Sequence, residues 1–116
     1  NFAAEKTQPL WEDLVVDGKS TMEWFLPKEL SPTIDSALIH FTPGARTKKF
    51  QMDIDWLVQI REGNGSVGTD TEQHDVKAGD VVVFQRGETR WLAAAPNSTF
   101  TFFSTHRPSP EMTVLD

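Results

Sequence analysis

Cysteine and tyrosine are both missing from this chain of 116 residues. Without cysteine there is no disulfide, no thiol nucleophile and no thiolate metal site, while the compartment stays open. Basic charge is also short. Lys and Arg number 11 against 17 Asp and Glu, giving a formal net charge of −6 and a sequence pI of about 4.9. That balance provides no electrostatic footprint for nucleic acid or an anionic membrane, so neither is expected as a partner. No apolar run approaches the length of a membrane span, and no signal-peptide pattern is present. An initiator Met is lacking too, since the chain opens at Asn1, the pattern of a processed or trimmed product. Asn64-Gly65-Ser66 and Asn97-Ser98-Thr99 match the glycosylation sequon, which hints at a processed secreted or periplasmic protein.

What is present is enough chain for one domain with one core, residues 1–116, with a polar arm at 1–9 and an irregular tail at 107–116. Two blocks organise it: PGARTKKFQMDIDWLVQIREGNG (Pro43 to Gly65) and AGDVVVFQRGETRWLAAAP (Ala78 to Pro96). Strand-like runs at Trp56–Arg61, Asp80–Phe84 and Arg90–Ala95 alternate between turn signals at Gly63-Asn64-Gly65, Lys77-Ala78-Gly79-Asp80 and Arg86-Gly87-Glu88. Further strands are expected at Ser36–Thr42 and Thr99–Thr105. Leu10-Trp11 with Leu14-Val15-Val16 reads as a first strand closing on Asp17-Gly18, and Met22 to Pro27 as a short apolar run. The pattern is that of an all-β jelly-roll barrel.

The spacing within the two blocks resembles the cupin motifs. Gly44, five residues, Phe50-x-Met52, Trp56 and Gly63 follow the first. Gly79, five residues, Gln85-x-Gly87, two residues and Arg90 follow the second. The chain is most similar to small single-domain, RmlC-like cupins, the group that includes cupin-type hydroxynitrile lyases and carboxymuconolactone-decarboxylase-associated cupins. That resemblance implies a cupin double-stranded β-helix and a homodimer, with the N-terminal aromatics Trp11, Trp24 and Phe25 as candidate contacts or core. In such cupins the positions of Phe50, Met52, Trp56 and Arg90 carry the metal ligands. Phe and Trp carbon offers no lone pair, and a guanidinium is a protonated donor without an acceptor. A lone Met52 thioether is not a metal site. No metal and no other cofactor are therefore expected.

Register places Arg90 inside rather than on the surface, and a buried Arg calls for an anionic partner, a protein carboxylate or a ligand. Asp53 and Asp55 are read as solvated loop residues, with a pairing to Arg90 as the functional alternative. His106 matches an active-site His of the hydroxynitrile-lyase-like cupins; a hydrogen-bonded structural His is the other reading. His40 is read as structural, its direction undecided, and His74 as exposed.

Two function classes follow. In one, a metal-independent cupin binds a small, largely apolar, acidic molecule against Phe50, Met52, Trp56, Arg90, Leu92 and Phe102. In the other, the pocket is a lyase, decarboxylase, isomerase or cyclase site, with His106 as acid–base and Arg90 holding a carboxylate or oxyanion. Sugar epimerisation of the metal-free cupin kind is disfavoured, because it usually employs a Tyr acid. A third outcome fills the barrel with side chains and leaves a structural module.

Overall fold

The computed structural model describes residues 8–24, 35–106 and 112–115, apart from the side chains of Trp24, Asp35 and His106. Among them there is no helix, and so none long and apolar enough to cross a membrane. The strands are β1 (Gln8–Pro9), β2 (Val15–Val16), β3 (Ser20–Trp24), β4 (Asp35–Phe41), β5 (Arg46–Thr47) and β6 (Phe50–Met52). They continue with β7 (Trp56–Gly68), β8 (Gln73–Lys77), β9 (Val81–Phe84), β10 (Trp91–Ala94), β11 (Phe100–His106) and β12 (Met112–Val114).

All pairings are antiparallel, and β7 joins two sheets. Its first half lies between β11 and β9, and its second half between β10 and β8. Beyond β11 come β4, β3 and β1; beyond β10 come β5 and β2. A separate pair, β6 with β12, closes one side. Period-two alternation decides which residues enter the core. Along β7, Trp56, Val58 and Ile60 are buried while Leu57, Gln59 and Arg61 are exposed. On β11, Phe100, Phe102 and Ser104 are buried, with Thr101 buried as well and Phe103 and Thr105 half-buried. Burying each large apolar side chain of this set contributes roughly 1.5–3 kcal/mol.

Three expectations need correction. The turn at Gly63-Asn64-Gly65 is instead a kink within a continuous β7. The register against β11 shifts there, Thr101 facing Glu62 and Phe102 facing Ile60. Gly63 adopts φ +83°, and a Cβ at this position would lie 1.8 Å from the Thr99 carbonyl oxygen. The glycine therefore lets two backbones touch as the strand passes from one sheet to the other. The tail is not wholly irregular, because Met112, Thr113 and Val114 face Met52, Gln51 and Phe50. Leu10-Trp11 is not a strand either: Trp11 has φ +55°, which breaks extended backbone. Phe25 and residues 1–7 lie outside the described residues.

Candidate functional site

Phe50 and Met52 alternate inward on β6, 0 % and 2 % exposed, while Gln51 between them donates from Nε2 to Thr89 Oγ1 at 3.0 Å. Arg90 sits directly opposite Phe50. The Phe50 amide donates to the Arg90 carbonyl at 3.0 Å, and the Arg90 amide donates back at 2.9 Å. This hydrogen-bonded pair places both side chains on one face of the ladder. Trp56 opens β7 and Phe102 lies in β11, with ring centroids 6.3 Å apart; Phe50 and Trp56 are at 6.0 Å. Leu92 is also fully buried. The six residues expected to line the barrel thus all face its interior, and there they pack on one another. Three hollows lined by described residues, of about 470, 360 and 260 Å³, lie elsewhere, beside Asp75, Lys19 and Trp91 respectively.

The guanidinium of Arg90 is fully enclosed. Its Nε donates to the Glu88 carbonyl at 3.2 Å, Nη2 to the Gln85 carbonyl at 2.8 Å, and Nη1 to Met52 Sδ at 3.7 Å. Those carbonyls belong to the turn that precedes it, where the Glu88 amide bonds Gln85 O and the Gln85 amide bonds Glu88 Oε1, each at 3.0 Å. Arg90 is therefore in part a clamp on its own loop. Of the two partners considered, a protein carboxylate or a ligand, no carboxylate contacts Arg90 among the described residues. Asp55 is exposed and accepts the Arg86 amide at 2.9 Å, and no ion pair joins it to Arg90. Two aromatic faces take the carboxylate's place, Phe84 at 5.2 Å and Trp56 at 5.8 Å from the guanidinium carbon. Burial pulls the pKa of Arg90 below its ordinary value, while the charges of Glu88 and Asp55 pull the other way. An Arg offers five N–H donors, and the three contacts above use three of them. Among the described residues nothing accepts the remaining two.

Three neighbours were not named among the site residues. Phe84 stacks on Trp56 at 5.7 Å and 26°, a position its alternation in GDVVVF could have suggested. Ser104 Oγ accepts the Trp56 indole N–H at 2.7 Å, and its parity with Phe100 and Phe102 was the available signal. Trp11 was expected as core or contact, and it packs against the core, but its aromatic character gave no sign of which rings it would meet. Its indole lies 5.9 Å from Trp56, 6.2 Å from Phe50 and 6.5 Å from Phe41. A positive φ costs a bulky residue about 1–3 kcal/mol, so packing must hold it there.

His106 ends β11 opposite Asp35, and its side chain lies outside the described residues. His40 is half-buried, with Nδ1 3.0 Å from Thr101 Oγ1 and Nε2 3.2 Å from Glu23 Oε1, an arrangement that suits a structural role. His74 is exposed beside Glu72. Among the described residues no three His, Cys, Asp or Glu side chains cluster as a metal site.

No protein-family model matches the sequence, and no curated protein matches it. Solved structures do. A cupin-like protein from Thermotoga maritima superposes with a TM-score of 0.83 at 19 % identity, covering 93 % of this chain and 84 % of its own. The chain folds as a cupin. A cupin 2 conserved barrel domain protein from Rhodopseudomonas palustris follows the same course, with TM-score 0.79, 14 % identity, and coverage of 96 % and 77 %. So does the polyketide cyclase RemF from Streptomyces resistomycificus, with TM-score 0.83, 12 % identity, and coverage of 97 % and 82 %. Transition metals are implied by many cupins, but the donor set at Phe50, Met52, Trp56 and Arg90 does not fit one. A thioether beside a fixed cation repels a metal ion rather than holding it.

Proposed function

We propose that this cupin works without a metal and binds a small, largely apolar anion inside its barrel. The observation that carries the reading is Arg90. An enclosed positive charge without a contacting carboxylate, and with donors left over, is the arrangement an acidic ligand completes. The surrounding rings supply the apolar part of the recognition. Titration of the wild type and Arg90→Met with 1-naphthoate and its neutral amide tests it. The wild type should prefer the acid by about tenfold or more, and the variant should show no preference. Equal affinity of the wild type for acid and amide, or binding of neither, removes the reading.

The alternative is acid–base catalysis, supported by the polyketide cyclase and by a structurally similar predicted oxalate decarboxylase from Thermotoga maritima (TM-score 0.74, 18 % identity). His106 would move a proton while Arg90 holds the developing oxyanion. Retained ligand affinity with lost turnover in His106→Ala would favour it.

For the partner we propose a second copy of this chain, paired along β9 rather than through Trp11, which points inward. Leu57, Val81 and Val83 are 41 %, 57 % and 60 % exposed on the outer face of this edge. The Ile60 amide bonds the Asp80 carbonyl, so alternation turns the amides and carbonyls of Val81 and Val83 toward the free edge. Antiparallel self-pairing with Val81 opposite Val83 uses these groups in both copies. Light scattering should find a dimer that Val83→Lys converts to a monomer; a monomeric wild type contradicts the pairing.

A further inference from the structure

Trp11 differs from every ring it touches. Phe41, Phe50 and Trp56 are 0–1 % exposed and lie on strands, whereas Trp11 is half-buried on a loop with φ +55°. Its carbonyl accepts the amides of Leu14 at 2.9 Å and Val15 at 2.8 Å, which anchors the loop through the backbone and leaves the side chain out of the anchoring. The indole N–H has no acceptor among the described residues, while that of Trp56 is bonded to Ser104. Trp11 is thus an aromatic bicycle held among three rings by packing alone, in a backbone conformation that favours its release.

We propose that the Trp11 indole occupies the ligand's seat, and that the barrel takes a planar aromatic acid that enters as the indole leaves. This rests on the Arg90 reading above and names its ligand class. The seat is framed by Phe41, Phe50 and Trp56, so a flat ring system the size of indole fits where Trp11 now packs. Phe50 is the direct cross-strand neighbour of Arg90, and Trp56 lies under its guanidinium. An acid group carried on the incoming ring therefore has one side chain to pass before it reaches the donors that Trp11 cannot use. An uncharged aromatic gains the seat but not the guanidinium, and an aliphatic acid gains the guanidinium but not the three rings.

Calorimetric titration of wild type, Trp11→Phe and Trp11→Ala with 1-naphthoate tests the proposal. Affinity should rise in that order, with Trp11→Ala at least about tenfold tighter than wild type. A folded Trp11→Ala that binds no tighter overturns it. If the wild type still prefers the acid through Arg90, the Arg90 reading stands without this one; if no protein binds 1-naphthoate, both fall. Should Trp11→Ala not fold, wild type labelled with 5-fluorotryptophan gives the answer. Saturating 1-naphthoate should move the Trp11 fluorine resonance to the position of an exposed indole, and an unmoved resonance with ligand bound overturns the proposal.

Discussion

Two tryptophans whose rings are 5.9 Å apart belong to different regions of the barrel and do different work. Trp56 is part of the wall. It begins a long strand, is completely enclosed, stacks on Phe84 and donates its N–H to Ser104. Trp11 is part of the cap, the loop between β1 and β2, and has none of these supports except contact with the wall's rings. The wall is over-determined by register, by close packing and by hydrogen bonds. The cap is held by packing against the wall, at the expense of a left-handed backbone. Stability is expected to reside in the first and adaptability in the second.

Substitutions sharpen or break that contrast. The largest effect belongs to Trp56→Ala, which empties the centre of the wall and leaves Ser104 without its donor; denaturant unfolding should lose about 3–5 kcal/mol. Gly63→Ala comes next at about 3 kcal/mol, because its φ of +83° and the nearby Thr99 oxygen both refuse a Cβ. Trp11→Ala should cost only about 1–2 kcal/mol, since the indole is already partly in water. A loss equal to that of Trp56→Ala would dissolve the distinction between wall and cap. Arg90→Met should lie within about 1 kcal/mol of wild type, because an apolar side chain of similar volume removes a costly buried charge. A loss of about 3–5 kcal/mol would instead make Arg90 chiefly the clamp of its loop.

Most of the wall was legible in the sequence, because it obeys a simple rule. Alternation placed Trp56, Val58 and Ile60 on one side of their strand, and the motif spacing put Phe50 and Arg90 in the barrel interior, though not their direct pairing. Where longer-range geometry overrides local chemistry, legibility ended. Gly63-Asn64-Gly65 carries turn residues, yet pairing on both sides of β7 keeps the strand running and uses the glycine for a close backbone approach. Met112–Val114 pairs with β6 from a proline-rich tail that has no strand pattern of its own. The buried position of Arg90 was expected, with its anionic partner open between a carboxylate and a ligand. The two carbonyls that the preceding turn presents to it were not foreseen, since they depend on how Gly87 aims the backbone. Aromatic bulk marked Trp11 as core or contact, but nothing around it marked the left-handed backbone by which it turns inward.

The account depends on the Arg90 guanidinium being sealed inside the barrel beside Trp56. Hydrogen exchange of arginine Nε–H groups, followed by NMR, measures that directly, with the half-exposed Arg46 as the internal reference. The Arg90 signal should persist in heavy water long after that of Arg46 has gone. Loss of both signals together would put the guanidinium in open solvent and contradict the account.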